Sequence, residues 1–209
     1  MANTKKNILL TALRLFARDG YEAVSVSRIA GELGMTKGAL YKHYKNKRDI
    51  FDSIFAYVCE LDVQRSRQAG VPEKEFSEMP QSFSGTTADS IMDYMRAQFF
   101  YWTQDEIACN FRRMLTLEQY RNEEMKALYQ KVMASGPMLF LEDLFRETMK
   151  CGTWKEGDPK EMAVEFYAPF YLLLSISDGA ADKIEKENAA RLFAKHMENF
   201  MERYRKDLE

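Results

Sequence analysis

The sequence predicts an all-α protein: an N-terminal three-helix helix-turn-helix domain joined to a larger helical domain. Three observations carry that expectation. Apolar residues recur with helical spacing along most of the chain. No segment alternates convincingly in the manner of a strand. The charge is divided between a basic start and an acidic remainder.

The elements follow in order. Ile8, Leu9, Ala12, Leu13, Phe16 and Ala17 define one face of a first helix, with Thr4 as its expected N-cap and Gly20 as its C-cap. Ser25 caps a second helix carrying Val26, Ile29, Ala30 and Leu33, which Gly34 ends. Thr36 caps a third, short helix through Tyr44. Asn46, with Asp49 three residues on, opens a fourth over about 46–68, on the pattern of a shortened capping box. Residues 70–87 hold Gly70, Pro72, Pro80 and Gly85 and lose all periodicity, which predicts a long loop. Helical pattern resumes over 88–149, with interruptions near Asp105, Arg121 and Gly136-Pro137. Residues 151–158 read as a loop. Asp158-Pro159 starts a helix to about Ser177, since proline suits a first turn, and a last helix covers about 186–205.

Composition bounds the function. With 209 residues, 46% hydrophobic and 30% charged, the chain can bury a sizeable core in one or two domains. Cys59, Cys109 and Cys151 are odd in number and widely spaced, and the histidines are His43 and His196 alone. A disulfide framework, a metal site and a bound cofactor are therefore not expected, and a reducing cytoplasm is the simple location. The longest uncharged apolar-rich run, 166–177, is interrupted by Pro169 and falls short of the about 20 residues that a spanning helix needs. The opening MANTKKNILLTALRLFA reads as an amphipathic helix, because Arg14 breaks its apolar run. There is no G-x-S-x-G, glycine-rich phosphate loop, H-E-x-x-H or credible Cys–His pair, so an enzyme is not expected.

The charge split is informative. Residues 1–48 hold ten Lys or Arg against three Asp or Glu, a net +7, and residues 49–209 carry −9. A polyanion-binding part attached to a part with another task explains it, as does a solvated basic surface. The expected division is 1–48 and 49–209, with the fourth helix connecting the two.

The stretch Ser25 to Lys47, SVSRIAGELGMTKGALYKHYKNK, sharpens the choice. Two short helices around Gly34-Met35 suit a helix-turn-helix, with Ala30 small at the crossing and Ile29, Leu33, Met35 and Leu40 inward. Lys37, Gly38, Ala39, Lys42 and His43 then face outward on the second helix of the motif, the one that enters the major groove. Lys37 suits guanine O6 and N7, Gly38 allows close approach, and Ala39 suits a thymine methyl. Tyr41, Lys42 and Lys47 suit phosphates, as do Ser27 and the backbone N–H groups at helix starts around Ser25 and Thr36. His43 reads either as a phosphate contact or as a packed histidine. Lys45 and Arg48 read as solvated charges.

These residues closely resemble the DNA-binding domain of TetR-family transcriptional regulators. The match runs through Leu13, Phe16, Gly20, Tyr21, Ser25, Ile29-Ala30, Gly34, Met35-Thr36-Lys37-Gly38, Leu40-Tyr41, His43-Tyr44, Lys47 and Ile50, and covers about 5–60. The family commonly has Thr for Ser25, Ala for Leu33, Val for Met35, Ser for Thr36 and Phe for Tyr44, all conservative for the role. The resemblance implies an all-helical homodimer that binds a near-palindromic duplex operator, usually as a repressor, and is released by a small-molecule inducer. An activator or ligand-independent regulator is the alternative, with a helical enzyme or carrier more remote.

Residues 88–178 are rich in large soft side chains. Phe99, Trp102, Phe111, Met114, Tyr129, Met133, Phe140, Tyr167, Phe170 and Tyr171 are candidates to line a cavity for an apolar or aromatic ligand, or simply to fill the core. Glu118, Asp143 and Glu165 either select a cationic ligand or lie on the surface. Phe170, Leu174, Phe193, Met197, Phe200, Met201 and Tyr204 form stripes on the last two helices, suited to an isologous four-helix seam.

Overall fold

The computed structural model describes residues 2–121 and 123–206. Among them are eleven helices: α1 Ala2–Asp19, α2 Val26–Glu32, α3 Lys37–Tyr41, α4 Lys47–Ala69, α5 Pro80–Ser84, α6 Ala88–Gln104, α7 Glu106–Glu118, α8 Glu123–Met133, α9 Ser135–Lys150, α10 Pro159–Gly179 and α11 Lys183–Tyr204. The described residues contain no sheet, only one isolated bridge between Trp154 and Arg205. The all-α expectation holds.

Local chemistry sets most of the helix starts. Ser25 Oγ accepts from Arg28 N at 3.2 Å and Thr36 Oγ1 from Ala39 N at 3.1 Å. Asn46 Oδ1 accepts from Asp49 N at 2.8 Å, and Asp49 returns a bond to Lys45 N at 2.8 Å, so the box closes one residue earlier than the standard form. Asp105, Asp158 and Asp182 cap α7, α10 and α11 in the same way.

Several boundaries differ from expectation, and the first is at α1, which already includes Thr4, so that residue is not its N-cap. The third helix ends at Tyr41, with turns onto Leu40 continuing to Tyr44. The expected 70–87 loop contains α5: Pro80 occupies its first turn, where no N–H is needed, and Phe83 is fully buried against Phe76 and Phe140. A five-residue helix is too short to leave a periodic trace. The break expected at Gly136-Pro137 falls instead at Ala134, because Pro137 also lies in a first turn.

The chain forms two compact units, Met1–Leu61 with Asp105–Tyr129, and Asp62–Gln104 with Gln130–Glu209. This division differs from the expected 1–48 and 49–209. The first unit reaches further along α4 and takes in α7 and most of α8, because α7 packs along α1 and Phe55 of α4 meets Phe111 of α7 at 6.1 Å. Its core includes Ile8, Ala12, Phe16, Ile29, Leu40, Ile50 and Ile54.

The second unit is built on α10 packed against α9 and α11. Phe145, Trp154, Phe166 and Phe200 form one aromatic cluster, and Phe99, Phe170 and Phe193 another. Trp154, in an expected loop, is 1% exposed and donates Nε1–H to Thr148 Oγ1 at 2.9 Å. The seam residues Phe170, Leu174, Phe193, Met197 and Phe200 are all at most 3% exposed within the single chain, so they are core of this unit and not a free dimer face. Met201 and Tyr204 are half-buried, and Tyr204 packs on Phe200. An apolar stripe has the same spacing whether it meets its own domain or a second copy.

Candidate nucleic-acid interface

The helix-turn-helix is assembled from α2 and α3. Ile29 and Leu40 are fully buried between them and the rest of the unit, while Leu33 and Met35 are half-buried. Gly34 takes φ +62°, the left-handed conformation that the turn requires and that costs glycine nothing. Met35 N then bonds Ala30 O at 3.0 Å, which closes the turn.

This frame leaves one face of α3 outward. Lys37, Gly38, Tyr41 and Lys42 are exposed, while Ala39 and His43 are partly covered. Lys37 Nζ lies 5.7 Å from the Tyr41 ring centre. Ser25, Ser27 and Thr36 are also exposed, but the Ser25 and Thr36 hydroxyls already cap their own helices. A Cβ placed on Gly38 would meet nothing within 4 Å, so nothing inside the protein calls for glycine there.

Lys47 is placed differently from a free phosphate ligand. Its Nζ donates to Tyr21 O at 2.9 Å and to Glu22 O at 3.4 Å, and it sits 4.2 Å from the Tyr21 ring centre. Arg48 is not merely solvated either: it forks onto Glu124 and bonds Asp52 at 2.7 Å, and those carboxylates raise its pKa further. Arg28 pairs with Asp19 at 2.9 Å across α1 and α2. Tyr44 donates to Lys5 O at 3.1 Å, and burial, reinforced by Asp49, pushes its hydroxyl up to about 12. It therefore remains a donor through the physiological range.

The candidate ligand residues do not form one cluster. Phe111, Met114 and Tyr129 belong to the first unit, the rest to the second. In the second, Phe99, Tyr167 and Phe170 are buried and packed on one another, and Tyr167 donates to Met133 O at 3.0 Å. Trp102 is buried, Phe140 half-buried, and Tyr171 is 42% exposed. A surface groove of about 330 Å³ between α6 and α11 is floored by Phe99 and Phe193 and walled by Phe100, with Arg96 and Arg191 at its rim. Among the three acids considered for cation selection, Glu118 is 2% exposed and accepts from Tyr21 N at 2.9 Å. Asp143 pairs with Arg146, and Glu165 with Arg203 and Tyr204. The role of Glu118 had no local signal, since its partner lies 97 residues away in sequence. Among the described residues no three His, Cys, Asp or Glu side chains converge on a metal position, and no helix is long and apolar enough to cross a membrane.

A basic, outward helix on a helix-turn-helix frame is the geometry of a DNA-binding motif. Residues 8–54 match the model of the bacterial regulatory proteins, tetR family. The chain is 35% identical over 80 residues to the uncharacterized HTH-type transcriptional regulator YerO of Bacillus subtilis, covering 36% of this chain and 28% of that one. It is 44% identical over 52 residues to the HTH-type transcriptional regulator AcrR of Shigella flexneri, covering 25% and 24%. These matches span about a quarter of the relatives' lengths. Beyond the shared domain the fold itself is similar: SmeT of Stenotrophomonas maltophilia in complex with triclosan superposes with a TM-score of 0.69 over 98% of this chain and 93% of its own, at 20% identity. Over its N-terminal segment the chain is thus similar to the bacterial regulatory proteins of the tetR family, and over its full length it shares the fold of SmeT.

Proposed function

We propose that the protein is a dimeric repressor that binds a near-palindromic operator through α3 and is released by an apolar or aromatic inducer held in its second unit. The observation that carries the DNA reading is Gly38. It sits in a helix, where glycine costs up to about 1 kcal/mol relative to alanine, yet nothing in the protein fills the space beside it. Flanked by exposed Lys37 and Lys42, that gap suits the close approach of a polyanion.

One such motif makes few contacts, so tight specific binding calls for two. The seam proposed for dimerisation is the outer face of α10. Val164, Leu172 and Ile176 are 50%, 59% and 49% exposed and lie, with Ala168, at four-residue steps along one stripe. Leu192 on α11 is 61% exposed. Such stripes from two copies suit an isologous seam.

For the inducer, the 330 Å³ groove floored by Phe99 and Phe193 is of the size that small ligands occupy and has the aromatic lining that apolar ones favour. SmeT, described as the repressor of a multidrug efflux pump and seen with triclosan, supports a repressor with an aromatic effector as the first reading to test. The test is selection of bound duplexes from random DNA, followed by a reporter driven by the selected site. Repression by the protein and relief by aromatic compounds are expected. Activation of the reporter, or no response to a broad aromatic panel, contradicts the repressor or the inducer part respectively.

A further inference from the structure

We propose that Glu118 is a positioning residue for the recognition helix, acting through the backbone of Tyr21. The proposal rests on the DNA-binding reading above. Glu118 lies beyond the segment that matches the family model and far from the outward face of α3 in sequence.

The geometry is a grip on one residue from two sides. Glu118 ends α7 and its side chain is withdrawn from water at 2% exposure. Its Oε1 accepts the N–H of Tyr21 at 2.9 Å. The C=O of the same Tyr21 accepts from Lys47 Nζ, at the first position of α4, also at 2.9 Å. A carboxylate from α7 and an ammonium from α4 thus hold the two backbone polar groups of Tyr21. The ring is held as well, edge-on to Phe16 at 5.1 Å and to Phe51 at 5.2 Å.

Gly20 fits this arrangement twice. It takes φ +83°, which ends α1, and a Cβ on it would come within 3.1 Å of Glu118 Oε1. The Arg48–Glu124 fork ties α4 to α8 next to the grip. From Tyr21 the chain runs through buried Val24 to Ser25, the cap of α2, and α2 carries α3.

Burial makes this contact a constraint. An exposed carboxylate exchanges partners with water at little cost. A buried one bonded to a backbone N–H makes a charge-assisted bond, and its loss leaves the N–H uncompensated. Without the grip the α1–α2 turn samples other arrangements, and apparent DNA affinity falls with the fraction of molecules holding α3 in place.

The test uses the full chain, as wild type, E118A and E118Q, at a temperature far below each melting midpoint, with a duplex that the wild type selects from random DNA. E118A is expected to weaken binding about tenfold, and E118Q, which keeps an acceptor oxygen, by less but measurably. Hydrogen exchange at the Tyr21 amide should quicken in the same order. Adding duplex should slow exchange over residues 114–118 in the wild type and lose that effect in E118A. A purely structural role lowers the midpoint but leaves affinity and duplex-dependent protection as in the wild type, and that result overturns the proposal. If E118A does not fold, wild-type affinity together with wild-type Tyr21 exchange in E118Q overturns it equally. A wild-type protein that selects no duplex overturns the DNA-binding reading itself, and this inference with it.

Discussion

At the scale of single residues, three positions near α3 and α4 have separable roles. Lys37 is exposed, and its removal should relax sequence preference at one position per half-site, by about 1–3 kcal/mol, with little effect on stability. Lys47 holds the Tyr21 and Glu22 carbonyls, so Lys47→Ala should lower the melting midpoint and weaken binding to all duplexes alike. Equal changes in midpoint and preference for both variants would contradict this division. Gly38→Ala is the sharper case. The added methyl meets nothing in the protein, so the helix should gain up to about 1 kcal/mol while duplex binding drops at least about tenfold. Gly38→Ala with unchanged affinity would mean that no backbone approaches there.

At the scale of elements, the outer stripe of α10 and the inner stripe of α11 should respond oppositely to charge. Leu172→Asp places a carboxylate on an exposed surface of the single chain, so the protein should stay folded, sediment as a monomer and lose tight operator binding. Phe200→Asp buries the charge among Phe145, Trp154 and Phe166 and should cost several kcal/mol of stability, unfolding much of the second unit. A Leu172→Asp protein that remains dimeric places the seam elsewhere. The contrast also marks what the sequence could carry. Caps such as Asn46 with Asp49 and Asp158 before Pro159 are settled within four residues, so they were legible. The 3.6-residue period identifies an apolar stripe but not its partner, which is why Phe200 read as a seam and proved to be core. Trp154 lies in the loop that the turn residues around it signal, but its burial has no local trace, because it packs on Phe200, 46 positions later. The outward face of α3 was legible because the helix-turn-helix packs within one short segment. The Glu118 contact was not, because nothing local to α7 points to Tyr21.

At the scale of the whole molecule, the uneven charge has a kinetic and thermodynamic consequence. The first 48 residues carry a net +7 in a chain whose total is −2, so attraction to DNA should be concentrated at one end. Affinity for any duplex should fall linearly with salt on logarithmic axes, with a slope set by the phosphates engaged. The two compact units are joined by three crossings of the chain, within α4, between α6 and α7, and within α8. The inducer proposed for the second unit would act by binding more tightly to a state that fits the operator less well, such as one whose recognition helices are misspaced for successive major grooves. A compound that weakens DNA binding tenfold must bind tenfold more weakly to the DNA complex, a coupling of about 1.4 kcal/mol. Trp102 and Trp154 are both buried, so a Trp154→Phe background is needed for Trp102 to report such a compound alone.

That the exposed face of α3 reads DNA sequence is tested most directly by parallel selection from random duplexes with the wild type and Lys37→Ala. The wild type should enrich a near-palindrome with half-sites about one or more helical turns apart, and Lys37→Ala should enrich the same site with one position relaxed in each half. No enriched site for the wild type, or an identical site with undiminished preference for Lys37→Ala, would contradict it.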